Sequence, residues 1–134
     1  MNQPKQTVLV VDDEETIRMI LVRILEREGF SIIEANNGLE ALERMQESQA
    51  EFVISDIQMP EMDGFELLVA LKDRYPATKV LMITGYGHEF TPERLVAAGA
   101  DYYITKPFRS IDISNTLRLM SAGMRLPAVD SIKL

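Results

Sequence analysis

A chain of 134 residues suits one domain, long enough to withdraw roughly two thirds of its unfolded surface from water. Its 21 acidic against 14 basic residues, a net charge of -7, disfavour nucleic acid or an anionic membrane as a partner of this chain. Without cysteine there are neither disulfides nor thiol catalysis, and with no apolar stretch near the roughly 18 to 20 residues of a membrane span and no signal-peptide core, a soluble cytoplasmic protein is expected.

Thr7 to Val11 is an apolar, β-branched run that reads as a strand, and Asp12-Asp13-Glu14-Glu15 follows as an acidic helix start suited to the positive end of a helix dipole. Within Glu14 to Glu28, Ile17, Ile20, Leu21 and Ile24 form a core-facing stripe, Met19 and Val22 lie off it, and Gly29 is the stop. Ser31 to Ala35 is a second strand, Asn36-Asn37-Gly38 a turn, and Leu39 to Ser48 a helix with Leu39, Leu42 and Met45 on one face. Phe52 to Asp56 is a short apolar run ending abruptly in a carboxylate, a buried strand that leaves the sheet at Asp56. Met59-Pro60 disfavours helix directly after it, and Asp63-Gly64 marks a second turn or a helix start. Gly64 to Tyr75 carries Phe65, Leu67, Leu68 and Leu71 as a helix, stopped by Pro76. Lys79 to Ile83 is a fourth strand with Thr84 at its end, and Gly85-Tyr86-Gly87 opens a loop. Thr91-Pro92 then starts a short helix, threonine as N-cap and proline at the first helical position, which Gly99 ends. Asp101 to Ile104 is a fifth strand, followed by Thr105-Lys106-Pro107-Phe108 and a last helix from near Ser110 with Ile113, Leu117 and Met120 on one face. Gly123 and Pro127 oppose its continuation, so residues 1–122 are expected to form the domain and 123–134 a tail or the start of a linker.

Five strands alternating with five helices predict parallel pairing through right-handed crossovers, hence an α/β sheet covered on both faces. In such sheets ligands bind beyond the carboxyl ends of the strands. Asp12, Asp13, Asp56, Thr84 and Lys106 all fall at those ends. Singly, each has a commonplace reading as first-turn acid, turn threonine or solvated lysine. A buried carboxylate without a partner is costly, and the coincidence of all five at one edge points to a site built around Asp56. His88 sits in a glycine-rich loop without acidic or cysteine neighbours at ligand spacing beyond Glu89, and reads as solvated.

In their order and spacing the acidic pair, the Asp56 loop with Met59-Pro60 and Asp63-Gly64, the strand-end Thr84 and Lys106-Pro107 resemble the receiver domain of bacterial response regulators, the chemotaxis-regulator-like phosphoacceptor of two-component signalling. The resemblance implies a flavodoxin-like doubly wound sheet of order 2-1-3-4-5 with five helices on both faces. It implies that Asp56 takes a phosphoryl group from the phosphohistidine of a sensor histidine kinase or histidine phosphotransfer protein, catalysing only its own phosphorylation and dephosphorylation. Three clustered acids repel one another and an incoming phosphoryl group, so a cation is needed, and Mg²⁺ suits such oxygen ligands. By resemblance, Asp13 and Asp56 ligate Mg²⁺ directly with the backbone carbonyl of Gln58, Asp12 acts through water, and Lys106 and Thr84 contact phosphoryl oxygens.

The resemblance also implies a readout in which Thr84 moves toward the phosphoryl group, Tyr103 turns inward, and the surface of helix 4, strand 5 and helix 5 changes for an output domain or target protein. Strand alternation points Tyr102 to the opposite face. Gln58 and Tyr86 flank the path of the hydrolytic water, where a bulky phenol is expected to slow dephosphorylation. Met19 and Val22 are expected as the apolar part of a docking site for the phosphoryl donor. Single-domain regulator and segment of a longer one both stay open, as does a phosphorylation-dependent dimer. Two rivals share parts of the pattern. A flavin-binding electron carrier needs a hydroxyl-rich phosphate loop where Asp12-Asp13 stand, and an aspartyl-nucleophile, metal-dependent phosphohydrolase needs a general acid where Gln58 follows Asp56.

Overall fold

The computed structural model describes residues 5–85 and 91–123. The five apolar runs form strands β1 (Thr7–Val11), β2 (Ser31–Ala35), β3 (Phe52–Asp56), β4 (Lys79–Thr84) and β5 (Tyr102–Thr105). Between and after them lie helices α1 (Glu15–Arg27), α2 (Gly38–Glu47), α3 (Gly64–Arg74), α4 (Pro92–Ala97) and α5 (Ser110–Ser121). All pairings are parallel and the sheet order is β2-β1-β3-β4-β5, as expected.

Alternation along each strand divides the core in two. Val8, Val10, Ile54, Leu81 and Ile83 face α1 and α5 through Leu21, Ile24, Leu25, Ile113, Leu117 and Met120. Leu9, Val11, Val53, Val80 and Met82 face α2, α3 and α4 through Ala41, Leu42, Met45, Leu67, Leu68, Leu71 and Leu95. Covered on both sides, β3 is buried along its whole length, so its apolar run continues up to the carboxylate. Each fully buried aliphatic side chain contributes about 1.5–3 kcal/mol, the main force holding the strand ends in place. Tyr102 and Tyr103 enter opposite layers, as alternation requires.

Two expectations about helix faces change. Ile20 is 43% exposed, and Leu25 takes its place beside Leu21 and Ile24. Leu39 is 48% exposed, and the small Ala41 turns inward with Leu42 and Met45. Gly38 is the first residue of α2, capped by the Asn37 side chain, which accepts from the Glu40 N–H at 2.8 Å. Phe65 is half-buried and lies under the Arg94 guanidinium, 5.6 Å from the ring centroid, which ties α3 to α4. A polar clamp fastens the opposite end of that layer. Lys72 Nζ donates to Thr78 O at 2.8 Å, Asp101 Oδ2 at 3.0 Å and Pro76 O at 3.3 Å, while Val80 N–H donates to the same Asp101 oxygen at 2.9 Å.

The readings of Tyr86 and His88, and of the tail with Pro127, lie outside the described residues. Gly123 adopts φ 73° just past α5, where a left-handed residue ends a helix.

Candidate functional site

β3 pairs with β1 on one side and β4 on the other, which puts Asp56 at the middle of the sheet's carboxyl edge. Its carboxylate is buried, yet both oxygens have donors: Lys106 Nζ at 2.9 Å from Oδ2, and the Gln58 N–H at 3.3 Å from Oδ1. Lys106 arrives there because β5 lies beside β4, its own N–H donating to the Thr84 carbonyl at 2.7 Å. Thr84 is buried at the same edge, its hydroxyl 3.5 Å from the Gly85 carbonyl, the outer limit of a hydrogen bond. That weak contact leaves the hydroxyl ready to donate elsewhere.

β1 delivers the acidic pair to the same place. The Asp12 N–H donates to Ala35 O at 3.2 Å, extending the β1–β2 ladder by one bond. Asp12 is 0% exposed: Oδ1 accepts from the Glu14 N–H at 2.8 Å, and Oδ2 has no hydrogen-bond partner among the described residues. Asp13 is exposed, and carboxylate oxygens of Asp12, Asp13 and Asp56 lie within 4.8 Å of one another. Burial, together with the charges of Asp56 and Asp13, pushes the Asp12 carboxyl up to about 6, against the opposing pull of the Glu14 N–H and Lys106. Burial alone lowers the Lys106 ammonium, but the hydrogen bond and charge of Asp56, with Asp12 and Glu14, outweigh it and hold Lys106 above the usual lysine value. An acid cluster with an orphaned, buried oxygen fits a hard divalent cation with oxygen ligands, of which Mg²⁺ is the type.

The loop after Asp56 is built so that its backbone stays close. Gly64 N–H donates to Ile57 O at 2.7 Å, and a Cβ at 64 would lie 2.1 Å from Asp56 O. Only glycine fits, so the start of α3 is pressed against the strand that carries the carboxylate. Asp63 caps that helix by accepting from the Glu66 N–H at 2.8 Å, while Glu66 accepts from the Asp63 N–H at 3.2 Å. Between Asp56 and that cap, Glu61 takes a left-handed φ of 69°.

The residues read from the sequence as Asp12, Asp13, Asp56, Thr84 and Lys106 thus share one edge, with Gln58 beside them. Tyr103 is half-buried as the second residue of β5, opposite Met82 in the register, where burial first and Glu93 second raise its phenol above the ordinary value. Met19 is 49% exposed on α1, whereas Val22 is half-buried. Sequence reasoning passed over Arg18. Its Nη1 donates to Asp12 O at 2.7 Å and its Nε to Glu34 Oε1 at 3.0 Å. No local pattern marks it, because Glu34 becomes its neighbour only when β2 pairs with β1.

The family model described as "Response regulator receiver domain" matches residues 8–118. The chain is 38% identical over 116 residues to the sensor kinase CckA of Brucella abortus, covering 85% of this chain and 12% of that protein. It is 42% identical over 101 residues to the transcriptional regulatory protein SrrA of Staphylococcus aureus, covering 75% of this chain and 42% of that one. It therefore corresponds to less than half the length of either relative. Among solved structures, chemotaxis protein CheY4 of Vibrio cholerae superposes with a TM-score of 0.79 at 32% identity, covering 86% of this chain and 98% of that one. The receiver domain of NtrX from Brucella abortus gives 0.78 at 32% identity, covering 83% and 94%. Agreement of this extent, on the same strand order, makes the chain a member of the response regulator receiver domain family of two-component signalling.

Proposed function

We propose that Asp56 is the phosphoacceptor, taking a phosphoryl group from the phosphohistidine of a sensor kinase or phosphotransfer protein. The observation that carries this is the Lys106 ammonium 2.9 Å from Asp56 Oδ2, with the carboxylates of Asp12 and Asp13 gathered beside it. An Asp56 oxygen bonds to phosphorus as the donor's P–N bond breaks, and the leaving imidazole keeps the electron pair and takes up a proton. Lys106 moves its charge onto a phosphoryl oxygen, and the Thr84 hydroxyl donates to another. Asp13, Asp56 and the Gln58 carbonyl hold Mg²⁺, with Asp12 acting through water; bound there, the cation neutralises the acids and the incoming phosphoryl oxygens. The position at which turnover of external esters needs a general acid, two residues beyond Asp56, holds Gln58, an amide without an acidic proton. A flavin phosphate would meet Asp12 and Asp13.

Readout runs through Thr84 and Tyr103, which lie on the adjacent strands β4 and β5 and switch the α4, β5 and α5 surface toward an output domain or target protein. Tyr103→Ala is expected to uncouple partner binding from phosphorylation. Residues 1–122 form the receiver in this reading, 123–134 a tail or linker, and a cytoplasmic location is consistent with the family role. The donor docks where Ile17, Ile20, Pro107 and Phe108 line a cleft of about 430 Å³ that reaches Lys106. Met19, exposed on the same helix, and half-buried Val22 do not line that cleft. A helical partner laid there brings its phosphohistidine to Asp56.

The test is incubation with acetyl phosphate and Mg²⁺, or with a phosphorylated phosphotransfer protein, followed by intact mass. Wild type is expected to gain one phosphoryl group and Asp56→Asn none. Equal gain in both, or none in wild type with either donor, overturns the assignment.

A further inference from the structure

Resting on that reading of the site, we propose that Arg18 is a positioning residue that sets the geometry of the acidic pair and thereby the affinity of the site for a divalent cation. The side chain leaves the second turn of α1 and is 13% exposed, so its guanidinium is largely removed from water. A charge so placed is costly unless paired. It is paired twice, to Glu34 Oε1 at 3.0 Å and to the main-chain oxygen of Asp12 at 2.7 Å. The second bond is the unusual one, because it ends on the backbone of the residue whose carboxylate is buried, short of a partner and crowded by two other acids.

Three elements meet in this fork. α1 supplies the arginine, the carboxyl end of β2 supplies Glu34, and the carboxyl end of β1 supplies the Asp12 carbonyl. Glu34 lies opposite Val10 and Ala35 opposite Val11 in the β1–β2 register, so the fork spans the seam from which Asp12 departs. Arg44 reaches the same seam from α2, its Nε 3.4 Å from Glu34 O. The apolar core needs none of this, since Val8, Leu9, Val10 and Val11 are already packed on both faces.

What the fork opposes is repulsion. Without a cation, the acids at 12, 13 and 56 repel one another, and the Asp12-Asp13 peptide is the part of the cluster carried on a loop. Arg18 grips the carbonyl of that peptide. Held there, the two side chains on either side of it keep the spacing at which both face Asp56, and a cation need not reorganise the loop on arrival. Groups that orient metal ligands from outside are worth roughly 10–100-fold in affinity, and the effect here is expected at the lower end, because Asp12 also keeps its bonds to Ala35 and Glu14.

The experiment is calorimetric titration of MgCl₂ into wild type, Arg18→Ala and Arg18→Lys, with melting in EDTA measured alongside. The expected result is a Mg²⁺ Kd about tenfold weaker in Arg18→Ala. Arg18→Lys should fall between, since an ammonium can reach one acceptor but cannot fork to two. A purely structural arginine lowers the melting temperature and leaves Kd alone. Weakening of less than about threefold in Arg18→Ala, whatever its melting temperature, overturns the proposal while leaving Asp56 as phosphoacceptor intact. Should Arg18→Ala fail to fold, Arg18→Lys decides: equality with wild type overturns, weakening supports. Wild type that binds no Mg²⁺ overturns the reading of the site and the clamp with it.

Discussion

Asp12→Asn is expected to stabilise the metal-free protein at neutral and alkaline pH. Asp12 is fully buried, one of its oxygens lacks a partner, and its carboxyl titrates at about 6 in place of 3.8. Between those values the unfolded chain has released the proton and the native state still holds it, so stability falls as pH rises through the window. Above it the penalty is constant. Two pH units at about 1.4 kcal/mol each make it about 3 kcal/mol, as an upper figure. Asparagine keeps an oxygen for the Glu14 N–H, removes the charge, and puts an amide donor beside the Asp56 carboxylate. At roughly 3 °C per kcal/mol for a domain of this size, the variant in EDTA at about pH 8 should melt up to about 10 °C higher. Near pH 4.5 the gain should shrink to about 1 kcal/mol, and it should approach zero only below about 3.8, where the unfolded chain holds the proton too. Melting by circular dichroism across that range, with and without Mg²⁺, gives both the sign and the slope. A gain independent of pH, or a loss at pH 8, refutes the electrostatic account, and Mg²⁺ should narrow the gap by stabilising wild type more.

Gly64→Ala should lower stability by about 2–3 kcal/mol in urea unfolding, because its Cβ would fall 2.1 Å from Asp56 O. An unchanged midpoint would mean that the β3–α3 loop yields freely. Lys72→Met should cost about 2 kcal/mol, since it strips three acceptors of one donor at the junction of α3, β4 and β5. In urea unfolding, a cost under about half a kcal/mol would reduce the clamp to a surface ion pair. Spectrophotometric titration should find Tyr103 ionising above the ordinary tyrosine value, and Glu93→Gln should bring it partly back, Glu93 being the lesser cause after burial. An identical curve in Glu93→Gln removes Glu93 from the environment of the switch residue.

How much of this was legible in the sequence depends on whether the cause is local. Val8 to Val11 and Phe52 to Ile54 read as strands because parallel strands covered on both faces are apolar without interruption. The helix faces were less legible. A repeat of 3.6 residues fixes the spacing of an apolar stripe but not where it is centred, so Ile20 and Leu39 were placed inward when Leu25 and Ala41 are the residues that meet the sheet. Ala41 gave no signal of its own, since alanine is a good helix former on either face.

The site followed the same division. Asp12, Asp56, Thr84 and Lys106 announce themselves by ending or following strands, and topology alone brings strand ends together. Arg18 and Gly64 act by touching backbone: Asp63-Gly64 shows in the sequence as a turn or helix start, but the contact that Gly64 makes leaves no trace in residue spacing. Gly64 is needed for its missing Cβ against Asp56 O, Arg18 for the Asp12 carbonyl six residues back and for Glu34, which the β1–β2 pairing brings within reach. The acids that carry the chemistry are therefore written in the sequence as identities. The precision with which they meet is written in residues that look ordinary, and variants at 18 and 64 are where chemistry and geometry can be separated by measurement.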